Sequence, residues 1–323
     1  MAIFLDAKRW REVFEGFNIV DVAIREWNIL QFCSREKVSN EELSLMWDHD
    51  RPTRIVSLFL DRPSGNNCGY QELTGMANPV LGVSRSPFPC PSGMVSAKNM
   101  DGDTWPVGGG HNGPMEHIAK GQKPFPERLK CINGYTYAVC ANRKIYKREN
   151  RGKWVLITDI PEIKGYSGFL DMDAFSENDM YAVGGCGDMW RFDGTKWKEQ
   201  VFPTNEQLGT VTCAPDGNVY VSSEGGSLWV GKGDSWKRVY QGGSSILWND
   251  VLWFDGKLWL ASDYQLRVWD GGNELKTVEE NGKPVPAYGH MDVHDGLLAI
   301  ASPEFVMTFD GKQWRSIVAP YLD

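Results

Sequence analysis

The stretch DGNVYVSSE, which begins at Asp216, has several close relatives elsewhere in the same chain. Each copy starts with Asp-Gly, Asn-Gly or a similar polar turn and continues with apolar and small residues. The copies begin at Asp101, Asn133, Glu177, Asp216, Asp255 and Asp295, and their fifth residues are Trp105, Tyr137, Tyr181, Tyr220, Trp259 and Ala299. Neighbouring fifth residues are 32, 44, 39, 39 and 40 positions apart. The chain is therefore built from a repeated unit.

The content of one unit predicts its structure. The unit from Leu208 to Tyr240 contains four short runs, GTVTCA, NVYVSS, SLWVG and SWKRVY, separated by glycine-containing turns. Between the first two runs, Asp216-Gly217 is a hairpin signal because both central residues of a type I′ turn need positive φ. Units of roughly 40 residues with four strands are typical of β-propeller blades. We predict an all-β propeller of four-stranded blades.

A tryptophan also recurs on the last run of the unit, at Trp154, Trp197, Trp236 and Trp314, with Leu275 in the corresponding place of another copy. Because these rings occur at one phase of the repeat, we predict that they cover junctions between blades rather than stack on a ligand.

The repeat becomes irregular before Met94. The segment from Asn18 to Asp48 has two strand-like runs and a third at LSLMW, so it reads as a degenerate blade, and RIVSLFLD from Arg54 is a further strand candidate. Between Arg62 and Gly93 only PVLGVS reads as a strand. We predict one propeller domain over 1–323, with irregular blades in 1–92 and recognisable repeats in 93–318. Seven blades are preferred, and six or eight stay open.

The two ends of a propeller must meet, since an open ring exposes two sheet edges. AKRWREVF, which begins at Ala7, resembles the outermost run TKWKEQVF that begins at Thr195. We therefore expect the N-terminal segment to complete or cover a blade beside the last repeat.

Composition limits the function classes. The 323 residues carry a net charge of −8, which argues against nucleic-acid binding as the main activity. The sequence has no apolar run long enough for a membrane span and no signal-peptide pattern, so we expect a cytoplasmic protein without membrane contact. The seven cysteines are irregularly spaced and lack a CxxC pair, which indicates reduced thiols and no zinc site.

No established catalytic motif is present, so we predict no enzyme activity, no cofactor and no metal. An alternative stays open: a propeller enzyme that acts on a glycan in the central funnel, for which carboxylates must converge from several inner strands. The candidates on predicted inner strands are Asp171, Asp173, Asn249, Asp250, Asp292 and His294. A scaffold subunit that bridges several proteins is a further alternative.

The varied loops on one face of the propeller are the better place for recognition, because loops on a rigid scaffold carry most binding residues. They contain a mixture of acidic and aromatic residues that suits a basic, partly apolar protein surface. The predicted partner-binding residues are His111, Asp188, Glu224, Asp263, Tyr264, Glu304 and Phe305.

The repeats from Gly93 to Val318 resemble the kelch and WD40 propellers in their four-strand pattern. Trp269-Asp270 and Gly289-His290 each occur once, so the chain lacks a regular WD40 array, and the double glycine after the second run, as at Gly184-Gly185, is more kelch-like. An acidic propeller without an appended domain also resembles bacterial immunity proteins, which bind and neutralise a toxin. That resemblance implies a basic protein partner, such as a nuclease toxin, held by binding rather than turnover. The oligomeric state stays open.

Overall fold

Seven antiparallel sheets of four strands each form the computed structural model, which describes residues 4–108, 112–161, 168–243 and 247–320. Each sheet is one blade, formed from consecutive strands with the first strand innermost. The first three blades consist of β1 Phe17–Glu26, β2 Ile29–Glu36, β3 Thr53–Phe59 and β4 Cys68–Leu73; β5 Val80–Ser84, β6 Ser92–Ser96, β7 Asp103–Val107 and β8 Glu116–His117; and β9 Pro126–Ile132, β10 Tyr135–Cys140, β11 Lys144–Asn150 and β12 Lys153–Leu156.

The remaining four blades follow the same order. They consist of β13 Phe169–Ser176, β14 Asp179–Gly184, β15 Met189–Phe192 and β16 Trp197–Glu199; β17 Leu208–Cys213, β18 Val219–Ser223, β19 Leu228–Lys232 and β20 Ser235–Tyr240; β21 Asp250–Phe254, β22 Lys257–Ala261, β23 Leu266–Trp269 and β24 Lys276–Thr277; and, after a small hairpin of β25 Glu279–Glu280 and β26 Lys283–Pro284, β27 His290–His294, β28 Leu297–Ala301, β29 Val306–Phe309 and β30 Trp314–Val318. The prediction of an all-β, seven-bladed propeller is confirmed.

The predicted type I′ chemistry is present at the turns between the first two strands in three blades, but the prediction for Asp216-Gly217 was wrong. There only Gly217 has positive φ, and the connection between β17 and β18 spans residues 214–218, with a hydrogen bond from Gly217 N–H to the carbonyl of Ala214 at 3.0 Å. Asn133-Gly134, Asp255-Gly256 and Asp295-Gly296 all have positive φ at both positions, as a type I′ turn requires. These turns project from one face of the propeller, which we call the turn face. The loops between second and third strands project from the opposite face, which we call the loop face.

Packing between blades forms the core, and the recurring tryptophans contribute to it as predicted. The Trp197 ring lies 6.5 Å from that of Phe169, and its Nε1 donates to the carbonyl of Ile157, which follows blade 3. Trp314 of blade 7 packs edge-on against Trp259 of blade 6, at 6.0 Å between ring centroids.

The ring closes where blade 7 meets blade 1, and within the described chain no strand is shared between these two blades. Of the two expectations for AKRWREVF, that of completing a blade as a strand was wrong, because Ala7–Phe14 form a helix, α1. The Asp6 side chain accepts from the backbone N–H of Arg9, which favours the helical turn. Val13 and Phe14 are buried with residues of blades 1 and 7, so α1 covers the seam.

Three further expectations about the N-terminal third need correction. LSLMW is no strand, because Asn40–Leu45 form a short helix, α2. The stretch from Arg62 contains β4, which the sequence analysis missed. Trp105 lies on β7, the third strand of blade 2, so the copy that begins at Asp101 is one hairpin out of phase with the others. Neither helix of the described chain has the length and apolar run that crossing a bilayer requires.

Candidate functional site

The predicted binding residues of blades 5, 6 and 7 are on the loop face, and most are exposed. Glu224, Asp263 and Glu304 are exposed acids, and the ring of Tyr264 is 83% exposed. Phe305 is half-buried. The Asp263 carboxylate accepts a 2.6 Å hydrogen bond from the side-chain amide of Asn249, an arrangement that fixes its position without removing it from solvent.

Two predicted residues differ from this group. Asp188 is buried and accepts two 2.7 Å hydrogen bonds from the guanidinium of Arg143, one on each oxygen. Trp190 Nε1 donates a third hydrogen bond to Asp188 at 2.9 Å. The Asp188 carboxylate therefore supports the loop from inside. His111 lies outside the described residues.

The central channel contains the carboxylates that the alternative enzyme hypothesis requires, and each accepts a backbone hydrogen bond from the next blade. Asp173 accepts from Cys213 N–H at 2.8 Å, and Asp292 accepts from Ile24 N–H at 2.7 Å. The same pattern joins Asp171 to Val211, Asp250 to Met291 and Asp21 to Leu81, at 3.0, 2.9 and 3.3 Å. These five side chains hold adjacent inner strands together.

Basic side chains neutralise much of this acidic lining. Arg128 of blade 3 reaches across the channel to Asp250 of blade 6, with 2.6 Å between Nη1 and Oδ1, and its Nη2 donates to the carbonyl of Asn249 at 2.8 Å. Lys130 lies 3.5 Å from Asp171, and Arg85 donates to Asp292 at 2.9 Å. The channel encloses a cavity of about 430 Å³ that Arg128 and its partners cross.

The channel groups perturb one another's pKa values. Burial raises the pKa of Asp21 to about 6, although the His290 charge opposes the change. Burial would also raise the pKa of Asp250, but the interactions of this carboxylate with Arg128 and His290 outweigh the effect of burial. They hold the pKa of Asp250 well below its usual range. Burial alone would lower the pKa of His290, yet its hydrogen bond to Asp250 and the charges of Asp250 and Asp21 raise it to about 9. His290 is thus a cation at neutral pH.

One group of possible metal ligands exists among the described residues. Oxygen and nitrogen atoms of Asp101, Asp103 and His117 lie within 4.8 Å of one another. Each acid already has a partner, because Asp103 is 2.7 Å from His117 Nδ1 and Asp101 accepts from Gly121 N–H at 2.6 Å. These contacts explain the cluster as a means of joining the β6–β7 turn to β8 and to the segment that follows it.

The sequence analysis missed the longest connection between second and third strands on the loop face. The connection between β2 and β3, residues 37–52, is here called the blade 1 insertion; it contains α2 and the exposed side chains of Leu45 and Trp47. A signal for it was present, because Ser39 and Glu42 have the spacing of a capping box, and both reciprocal hydrogen bonds are formed.

Solved structures with similar folds are WD40-type propellers and related proteins. The WD40 β-propeller domain of Doa1 aligns with a TM-score of 0.63 at 12% identity, over 88% of this chain and 90% of that domain. The chain has a WD40-like β-propeller fold. YCF48, solved with a D1 peptide bound, aligns with a TM-score of 0.56 at 15% identity, over 89% of this chain and 90% of that one. At these identities the likeness concerns the fold alone.

A sequence relative points beyond the fold. Over 194 residues, this propeller is 32% identical to the immune protein Tsi7 of Pseudomonas aeruginosa, a match that covers 58% of this chain and 63% of that protein. The match thus spans less than two thirds of the relative's length. No protein-family model matches the propeller.

Proposed function

We propose that this propeller is an immunity protein that binds a protein toxin and neutralises it by occlusion, without turnover. The observation that carries the proposal is the similarity to the immune protein Tsi7. The channel supports the non-catalytic part, because Asp173, Asp250 and Asp292 are each engaged by the backbone of a neighbouring blade. A general acid or base needs a carboxyl group that is free to approach a substrate. These three carboxylates instead form hydrogen bonds that hold the inner strands of neighbouring blades together.

The loop face is the proposed binding surface. Glu224, Asp263 and Glu304 are exposed acids on a rigid ring, and Tyr264 adds an exposed aromatic side chain beside them. Phe305 adds a second aromatic side chain to the apolar part of this binding surface. Tyrosine and other aromatic residues are enriched in the binding centres of interfaces, whereas acids accelerate association with a basic partner. Together with the net charge of −8, this surface supports a cationic toxin, such as a nuclease, as the partner.

The test uses the proteins encoded on either side of this chain's gene, each produced in a bacterial host with and without the propeller. We expect one of them to arrest growth and the propeller to restore it. The purified pair should form a stoichiometric complex whose association slows as salt rises. If neither neighbour is toxic, or if a toxic neighbour neither binds the propeller nor is relieved by it, the proposal is wrong.

Two charge-reversal variants locate the surface. Glu224→Lys, Asp263→Lys and Glu304→Lys together change the loop face, and Glu26→Lys, Asp61→Lys and Asp234→Lys make the same change in net charge with exposed residues at the turn face. We expect the loop-face variant to reduce the association rate by about tenfold or more at low salt, and the turn-face variant to stay within about threefold of the original protein. Equal effects would indicate attraction by overall charge alone.

A further inference from the structure

The blade 1 insertion is longer than its counterparts. It occupies residues 37–52, whereas residues 141–143 and 224–227 connect the equivalent strands of blades 3 and 5. The short loops suffice to join second and third strands, so the extra residues are unnecessary for forming a blade. The insertion therefore needs a separate explanation.

Its apolar side chains face solvent. Leu45 is 88% exposed, Trp47 is 75% exposed and Leu43 is 39% exposed. None of the six residues of α2, all of them described, is buried. A helix of this length is normally held by packing its apolar side against the protein, and α2 does not do so. Exposed leucines next to a tryptophan are typical of a surface that becomes covered by a partner.

The insertion is nevertheless held firmly at its base. Arg35, which is buried, donates to both carboxylate oxygens of Asp48 at 2.9 and 3.0 Å and to its carbonyl at 2.6 Å. Gly75 N–H donates to the carbonyl of His49 at 3.0 Å, and Arg51 Nε donates to that of Glu36 at 2.8 Å. Because these contacts fix the backbone before any partner arrives, binding through the insertion would cost little ordering entropy.

The insertion is continuous with the proposed binding surface. Lys37 forms a 2.7 Å ion pair with Glu304 of blade 7, and Gly289 N–H, at the start of blade 7, donates to the carbonyl of Ser262 beside Asp263. Glu41 and Glu42 are exposed on α2, next to Leu43. An apolar projection bordered by acids is complementary to an apolar pocket bordered by lysine or arginine.

We infer that the blade 1 insertion is the main docking element for the toxin, with Trp47 and Leu45 entering an apolar pocket on a basic face of that protein. This inference rests on the proposed function. Blades 6 and 7 then contribute the acidic border, and blade 1 contributes most of the binding energy. A few buried aromatic and aliphatic anchors usually carry most of the affinity of an interface.

The test compares two exposed tryptophans on opposite faces. The probe is the neighbour-encoded toxin, inactivated by substitution, and the readout is its Kd for the full-length propeller. We expect Trp47→Ala to weaken binding on the order of 30-fold or more. Trp27→Ala removes a ring that is 61% exposed at the turn face, and it should change the Kd by no more than about threefold. Leu45→Ala should weaken binding in the same direction as Trp47→Ala.

The outcomes separate the inference from the proposal beneath it. Unfolding midpoints in urea should be unchanged in Trp47→Ala, since the ring is exposed. If the original propeller binds no neighbour-encoded toxin, the proposed function fails. If the original propeller and Trp47→Ala bind the toxin equally, the inference alone is overturned. Sedimentation provides a further check, because a dimer that Trp47→Ala dissociates, with toxin binding intact, would assign the insertion to a second copy of this chain.

Discussion

Asp250 connects three blades through one carboxylate. Its Oδ1 accepts from Arg128 of blade 3 at 2.6 Å, and its Oδ2 lies 2.9 Å from Met291 N and 3.1 Å from His290 Nδ1 of blade 7. The Asp250 side chain can accept all of these hydrogen bonds only when it is ionised, because both of its oxygens are then acceptors. The low pKa of Asp250 and the raised pKa of His290 are therefore properties of the closed ring, because the partners come from distant parts of the chain.

This pair predicts that stability falls in mild alkali. The folded-state pKa of His290 is about 9, against 6.5 for a free histidine, so its stabilising contribution is complete below pH 6.5 and is lost as the pH rises to about 9. Because the ring is partly exposed, we expect a loss of roughly 1–2 kcal/mol in the free energy of unfolding. Urea unfolding at pH 6.5 and at pH 9 measures this difference in the free energy of unfolding. His290→Gln should reduce this pH dependence, and an undiminished slope in that variant would contradict the assignment.

At the scale of single elements, the type I′ turns at Asn133-Gly134 and Asp255-Gly256 share a backbone conformation but have different surroundings. Gly134 has a φ of +86°, and a Cβ there would lie 2.6 Å from the carbonyl oxygen of Ser86 and 2.7 Å from that of Arg85. Gly256 has a φ of +78° with no atom within 4 Å of such a Cβ. The first glycine meets a conformational and a packing requirement, whereas the second meets only the conformational one.

Alanine substitutions should separate the two requirements. Gly256→Ala should cost about 1 kcal/mol, the ordinary cost of a left-handed conformation for a residue with a side chain. Gly134→Ala should cost about 2–4 kcal/mol, because the backbone around Arg85 and Ser86 must also move. The free energy of unfolding in urea, measured for both variants, tests the difference. Equal losses would show that the neighbouring loop moves aside freely.

The same turns explain what the sequence could predict. An Asp-Gly or Asn-Gly hairpin is determined by residues next to each other, so the repeat followed from the sequence, whereas the blade count was a preference for seven with six and eight left open. Asp101-Gly102 has the same composition, but it connects second and third strands, where the Asn99 side chain accepts from the Gly102 and Asp103 N–H groups at 2.8 and 3.1 Å. Local turn chemistry does not tell which hairpin of a blade it closes.

The site was less predictable because its contacts join distant residues. Asp188 looked like a free loop acid, and its pairing with Arg143 depends on blades 3 and 4 being adjacent. Arg128 gave no signal of its contact with Asp250, which lies across the ring. The exposed acids and aromatics of blades 5 to 7 were found because their positions follow directly from the strand pattern. Their role in binding stays a prediction.

At the scale of the whole molecule, the ring depends on a seam between blades 1 and 7 that has no shared strand. One backbone hydrogen bond crosses it, from Ile19 N–H to the carbonyl of Pro303 at 2.9 Å, and side-chain packing supplies most of the remaining contact. α1 contributes buried Val13 and Phe14 to this seam, where they pack in one cluster with Phe32 of blade 1 and with Val306 and Ile317 of blade 7. The Phe14 and Phe32 rings meet edge to face at 6.2 Å. Since the described blades share no strand there, packing must replace the backbone hydrogen bonds that a shared strand would supply.

Phe14→Ala should therefore destabilise the seam between blades 1 and 7 more than the rest of the propeller. Removing a buried phenylalanine side chain costs about 3–5 kcal/mol, and the cavity lies between the two blades that close the ring. Native-state hydrogen exchange should show the largest acceleration in β1, β29 and β30, beyond the uniform change that lower global stability produces. Phe169→Ala, which removes an equally buried ring from blade 4, is the matched control and should leave the seam amides with the uniform change only. If both variants accelerate exchange evenly around the ring, the seam is no weaker than any other junction, and the ring unfolds as one unit.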